Sequence, residues 1–172
     1  MHAILKKLHG ADRRSVGRVA EVVTAVLAAP RLFSIVVEGM QHPNPLIRMR
    51  CADAVEKITR QHPEYLLPYK RQLIHQIAQV EQQEVRWHVA QLFSRLPLSR
   101  TERRQVQAVL LGFLSDESQI VKTFTMQALA DIAEQDPELR RPIIQRLEKL
   151  THLGSPAMQS RGRKLLTKLK AK

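Results

Sequence analysis

A chain of 172 residues with 44% apolar side chains can bury a continuous core. Its short, charge-interrupted apolar runs exclude the roughly 20-residue span that a bilayer helix needs, so no membrane association is expected. The formal charge of +12, from 28 Lys and Arg against 16 Asp and Glu, invites a polyanion but is concentrated at the two ends. Residues 1–20 sum to +4 and residues 149–172 to +7, whereas the 128 residues between them hold 16 basic and 15 acidic side chains.

The opening stretch, MHAILKKLHGADRRS, places basic residues after a very short apolar patch. This is the reverse of a secretory signal and predicts a cytoplasmic protein. The lone cysteine, Cys51, cannot form an internal disulfide and agrees with a reducing compartment. Nine prolines are scattered singly and six glycines form no rich loop, so a single domain over 1–172 is expected. Residues 1–28 read as N-terminal capping helices.

From residue 30 onward the chain repeats. IRMRCADAVEKI from Ile47, VRWHVAQLFSRL from Val85, VKTFTMQALADI from Val121 and MQSRGRKLLTKL from Met158 align without gaps at offsets of 38, 36 and 37. Apolar or small residues recur at the first, fifth, eighth, ninth and twelfth places, as in Val85, Val89, Leu92, Phe93 and Leu96. That spacing is one face of a helix. Upstream of each copy lies a second apolar helical segment with equivalent residues Val36, Ile74, Leu110 and Leu147, so each unit is predicted to be a helical hairpin. QHPEYLLP from Gln61 and QDPELRRP from Gln135 match at an offset of 74, two units apart. Pro30, Pro68 and Pro142 thus share one place early in the first helix, where proline kinks or restarts the helix; Arg104 departs from this.

A two-helix unit of about 37 residues, with proline in the first helix and a basic residue opening the second, resembles the HEAT repeat. The resemblance covers four units between about residue 30 and residue 170. It implies an all-α, right-handed α–α superhelix whose second helices line the concave side, and a scaffold that binds partners there. It also implies that the basic residue opening each second helix pairs with an aspartate six residues earlier. Asp116 fits for Lys122, but His42 and Val80 stand at those places for Arg48 and Arg86, and Gln159 replaces the basic residue in the last unit. Glu81, Glu84 or turn carbonyls can satisfy the two arginines; otherwise they are open to an anion.

At about 100° per residue, Trp87 lies opposite the arc of Val85, Val89, Leu92 and Leu96. Its equivalents are Met49, Thr123 and Ser160, which suits a surface place, concave on the HEAT resemblance. Such a tryptophan either lies over the neighbouring helix or anchors a partner. His88 sits on the flank of the buried stripe, where an i,i+4 pair with Glu84 is the simplest expectation. Cys51 shares a core place with Val89, Thr125 and Gly162 and reads as a packed hydrophobe.

Dispersed histidines, one cysteine and the absence of H-E-x-x-H argue against a metal site. No phosphate-binding glycine loop or nucleophile elbow occurs, so neither a cofactor, a small-molecule substrate nor an enzymatic activity is expected. HEAT-like alkylpurine DNA glycosylases resemble this chain in architecture, and Trp87 with Asp53 or Asp131 stands near the corresponding face. A second tryptophan and a dense basic track are missing. The expectation is therefore a non-enzymatic scaffold that binds a protein or peptide through Arg48, Met49, Arg50, Arg86, Trp87, His88, Gln91 and Arg95. The alternative is nucleic-acid backbone binding through Arg161, Arg163, Lys164 and Lys168 of the basic C-terminal helix, which can equally be a solvated cap.

Overall fold

Apolar side chains at helical spacing, interrupted by Ser, Asn and Asp caps, dictate short helices, and the computed structural model contains them. It describes residues 1–10, 12 and 15–171; Arg13, Arg14 and Lys172, counted above in the terminal charge, lie outside the described residues. Among the described residues all regular structure is helical. The α-helices are α1 (Ala3–Lys6), α2 (Val19–Ala28), α3 (Phe33–Gly39), α4 (Pro45–Gln61), α5 (Lys70–His75), α6 (Gln83–Phe93), α7 (Arg100–Phe113), α8 (Gln119–Gln135), α9 (Pro137–Leu153) and α10 (Pro156–Lys170). No helix is long and apolar enough to cross a membrane.

The chain divides into two compact units, one from Met1 to Leu96 and one from Pro97 onward. In the first, α3 and the Ile77–Gln79 turn after α5 pack on α4 and α6 respectively, α4 packs on α6, and α2 covers α4. In the second, α7 packs on α8 and α9 on α10, with α8 against both α9 and α10. The aligned copies are the second helices, α4, α6, α8 and α10.

Their stripes are the cores of the units. Ile47, Cys51, Val55 and Ile58 of α4, Val85, Val89 and Leu92 of α6, and Val121, Thr125, Leu129 and Ile132 of α8 are all buried. Val36, Ile74, Leu110 and Leu147 are buried opposite them, as the repeat requires. In α10 the stripe continues through Met158, Gly162, Leu165 and Leu169, while Leu166 is only half-buried. At Gly162 a side chain would overlap the Thr151 hydroxyl on α9, so glycine sets the approach of these two helices. Gly39 plays the same part toward Cys51, whose thiol is pushed up to about 12 by burial.

Local chemistry sets the helix starts. Asn44 accepts from the Leu46 amide with Pro45 behind it, Ser155 does the same for Met158 with Pro156, and Ser99 and Glu102 form a reciprocal capping box. The proline-containing first helices divide into two kinds. Pro30 opens a 3₁₀ turn, Pro30–Leu32, and Pro68 lies in a 3₁₀ segment, Pro63–Tyr69, before α5 begins; α9 runs through Pro142 without a break. The matching octapeptides explain part of the difference. Asp136 caps α9 by accepting from the Glu138 amide, whereas His62 at the equivalent place bonds Glu64 Oε1 through Nδ1 and stacks on Tyr65. Tyr65 and Tyr69 both meet the edge of Phe33, at 5.4 and 5.7 Å between ring centres.

Leu92 and Leu129 are fully buried in the central helices. Leu92→Ala and Leu129→Ala are each expected to lower the unfolding free energy by about 2–5 kcal/mol in denaturant titrations. Losses below about 1 kcal/mol at both sites would refute the register of the stripes.

Candidate binding cleft around Trp87

The outward faces of α4 and α6 meet the chain segment before α2 in a cleft of about 340 Å³, lined by Ser15, Val16, Met49, Arg50, Asp53, Glu84, Trp87 and His88. Trp87 is half-buried rather than freely exposed, with its ring 5.7 Å from that of His88. Val16 is 55% exposed at the rim, so the cleft offers an indole, a thioether and a valine to a ligand. Asp53 and Glu84 add two carboxylates. Asp53 is tied to Lys57 at 2.7 Å, and Glu84 forms no ion pair among the described residues.

His88 corrects an expectation. It is buried, 9% exposed, and no bond joins it to Glu84; its Nδ1 has no hydrogen-bond partner. Burial, against the opposing pull of the Asp53 and Glu56 carboxylates, holds its pKa down at about 4, so the ring is neutral at neutral pH. It lines the cleft as a wall and not as a cation.

The arginines correct the expected partner surface further. Arg50 is 2% exposed, and its guanidinium bonds the backbone carbonyls of Leu8 (2.7 Å), Asp12 (2.8 Å) and Ser15 (2.9 Å from Nη2, 3.1 Å from Nε). It cannot reach a partner, because it fastens the N-terminal segment to α4. Gly10 and Gly17 lie against it, and Gly17 has a positive φ of 59°, where a side chain would be both strained and 3.0 Å from the guanidinium carbon. Arg95 is likewise engaged: it donates to the Glu56 carbonyl (2.8 Å), to Thr59 Oγ1 (2.9 Å) and to the Glu56 carboxylate, which is almost wholly buried and also takes Arg60 at 2.7 Å. Burial raises the Glu56 carboxyl, but the bonds and charges of Arg60 and Arg95 outweigh it and hold the group below the usual carboxylate range.

Arg48 lacks the aspartate of the repeat pattern and is satisfied otherwise. It donates to the His42 and Pro43 carbonyls at 2.8 and 3.0 Å and to Gln82 Oε1 at 2.8 Å; Gln82 in turn donates to the Pro45 carbonyl at 3.0 Å. Arg86 is half-buried and is not free either. Gln91 donates to the Trp87 carbonyl at 3.2 Å. Of the eight expected partner residues, the cleft thus gathers Met49, Arg50, Trp87 and His88, of which Met49 and Trp87 are half-buried and the other two are walls. It adds Ser15, Val16, Asp53 and Glu84.

On α10, Arg161 donates to Gln127 Oε1 at 2.7 Å and Lys168 pairs with Glu134, while Arg163 and Lys164 are exposed without an ion pair among the described residues. Among the described residues no cluster of His, Cys, Asp and Glu has the geometry to hold a metal.

No family model matches the sequence, and no curated protein matches it. Among solved structures, the crystal structure of an engineered protein from the Northeast Structural Genomics Consortium resembles this one with a TM-score of 0.66 at 15% identity, covering 98% of this chain and 78% of that one. At that identity the likeness is one of fold alone.

The unfolded imidazole of residue 88 takes up a proton below about 6.5 and the folded one only near 4, so between these values the unfolded state binds more protons and acidification destabilises the fold. His88→Phe, which introduces the residue found at position 124, should remove roughly 1–3 kcal/mol of the stability lost between neutral pH and about pH 4.5, as read from denaturant midpoints. Arg50→Ala should cost about 1.5–3 kcal/mol. Its largest increase in amide exchange should fall at residues 8–10, 12 and 15–18; protection unchanged there would show that the guanidinium does not hold the segment.

Proposed function

We propose that this chain is a non-enzymatic scaffold of HEAT-like helical hairpins that binds a protein or peptide partner on the outward face of α4 and α6, with Trp87 as its anchor. The observation that carries this reading is the half-buried Trp87 in a cleft that it shares with half-buried Met49, exposed Val16 and the carboxylates of Asp53 and Glu84. A large aromatic on a rigid helix, beside an apolar depression with polar groups at its edge, is the usual composition of an interface hot spot. The carboxylates of Asp53 and Glu84 favour a partner that brings a cationic side chain, whose charge can also rest on the indole face. Asp53 is already tied to Lys57, and no second aromatic side chain other than the His88 ring lines the cleft, which supports binding over base chemistry. The single, buried, unbridged Cys51 agrees with a reducing compartment, and a cytoplasmic location is part of this reading.

Nucleic-acid backbone binding is the second reading, supported by Arg163 and Lys164, exposed and without an ion pair among the described residues. It is weakened by the ion pairs of Lys168 with Glu134 and of Lys170 with Glu148.

Affinity capture from a native extract separates the two. With the full chain as bait, a protein partner should survive nuclease treatment and be lost with Trp87→Ala, while the melting temperature of the variant stays nearly unchanged. Loss of the captured material on nuclease treatment would favour the second reading, and unfolding of Trp87→Ala would make Trp87 structural.

A further inference from the structure

The second unit carries 14 Lys and Arg against eight Asp and Glu, and its carboxylates are largely committed. Glu138 takes both Arg100 and Arg104, Asp136 takes Arg103 at 3.1 Å, Glu134 takes Lys168 at 2.5 Å, and Glu148 takes Lys170 at 2.6 Å. Three cations left without an ion pair among the described residues, Lys122, Arg146 and Lys149, surround a single cleft of about 660 Å³. It lies where the C-terminal ends of α7 and α9 meet the first turns of α8 and α10. No carboxylate lines it. Its apolar lining comes from Leu114, Leu150, Leu153 and Met158, and Leu153 is 81% exposed, the most exposed large apolar side chain in the chain's described part.

We propose that this cleft is a docking site for an acidic amphipathic peptide segment, whose apolar side chains enter among the leucines while its carboxylates meet Lys122, Arg146 and Lys149. The charge argument is direct: three like charges around one depression repel one another, and a ligand bringing carboxylates relieves that repulsion as it binds. The apolar lining chooses between anions. A phosphate backbone neutralises cations but leaves Leu150 and Leu153 in water, whereas an amphipathic helix or strand covers them and gains the burial of Leu153. The site lies in the unit that does not contain Trp87, and it stands or falls independently of the function proposed above.

The test titrates the full chain with a labelled peptide that carries leucine on one helical face and glutamate on the other, followed by fluorescence anisotropy. Binding should be present, should weaken with salt, and should fall about tenfold when the peptide leucines become serine. Arg146→Gln with Lys149→Gln should weaken binding by about tenfold, and Leu153→Ser by about fivefold; all three positions are exposed or on the helix surface, so the fold is retained. Trp87→Ala should leave this binding unchanged. Equal binding of the serine peptide, tighter binding of a single-stranded oligonucleotide, tighter binding of phosphatidylserine vesicles, insensitivity to the cation or Leu153 variants, or no binding would each overturn the proposal.

Discussion

A guanidinium held by neutral carbonyls shapes the Trp87 face. Among the described residues Arg50 has no carboxylate partner; the backbone oxygens of Leu8, Asp12 and Ser15 take its place. A buried cation bonded to backbone oxygens is favourable when several charge-assisted bonds are made at once, and here the carbonyls of Leu8, Asp12 and Ser15 converge on one guanidinium. Gly17 supplies the left-handed turn. Val16 and Ser15 are thereby set as the third wall of the cleft. Without the clamp, the cleft would be an open groove between two helices.

The same place on other second helices also faces an earlier layer. Arg50 reaches the segment before α2, His88 feels the carboxylates of α4, and Arg161 of α10 reaches Gln127 on α8. One helical position thus does three chemically different things, according to what lies over it. In the first unit the Glu56 carboxylate performs a similar linking task, joining α4 to the end of α6 through Arg95.

The helical stripes and their pairing were legible in the sequence because periodicity reports which side of a helix faces the core, and Val85, Val89, Leu92 and their equivalents are all buried. Azimuth does not report what lies above an off-stripe residue. Periodicity alone therefore puts Arg50 and Arg95 on a partner surface, although backbone oxygens and Glu56 occupy them. Spacing alone pairs His88 with Glu84, yet packing closes over its Nδ1. Ser15 and Val16 have no periodic signal, and nothing but tertiary structure brings them to Trp87. Net charge likewise does not tell which cations are engaged: on α10 Lys168 and Lys170 pair with Glu134 and Glu148, while Arg163 and Lys164 are exposed without an ion pair among the described residues. Which lysine meets which glutamate depends on helices remote in sequence, and composition is blind to it.

The close approach of Gly39 to Cys51 has a consequence for the protein's chemistry in an oxidising environment. Only thiolate reacts readily with peroxide or alkylating reagents, and a thiol raised to about 12 contributes almost none at neutral pH. The sulfur is also fully buried, with Gly39 of α3 packed close against it, so a reagent reaches it only when this part of the core opens. The chain's single cysteine is consequently a built-in recorder of opening: its modification rate counts the excursions that expose the core around α4.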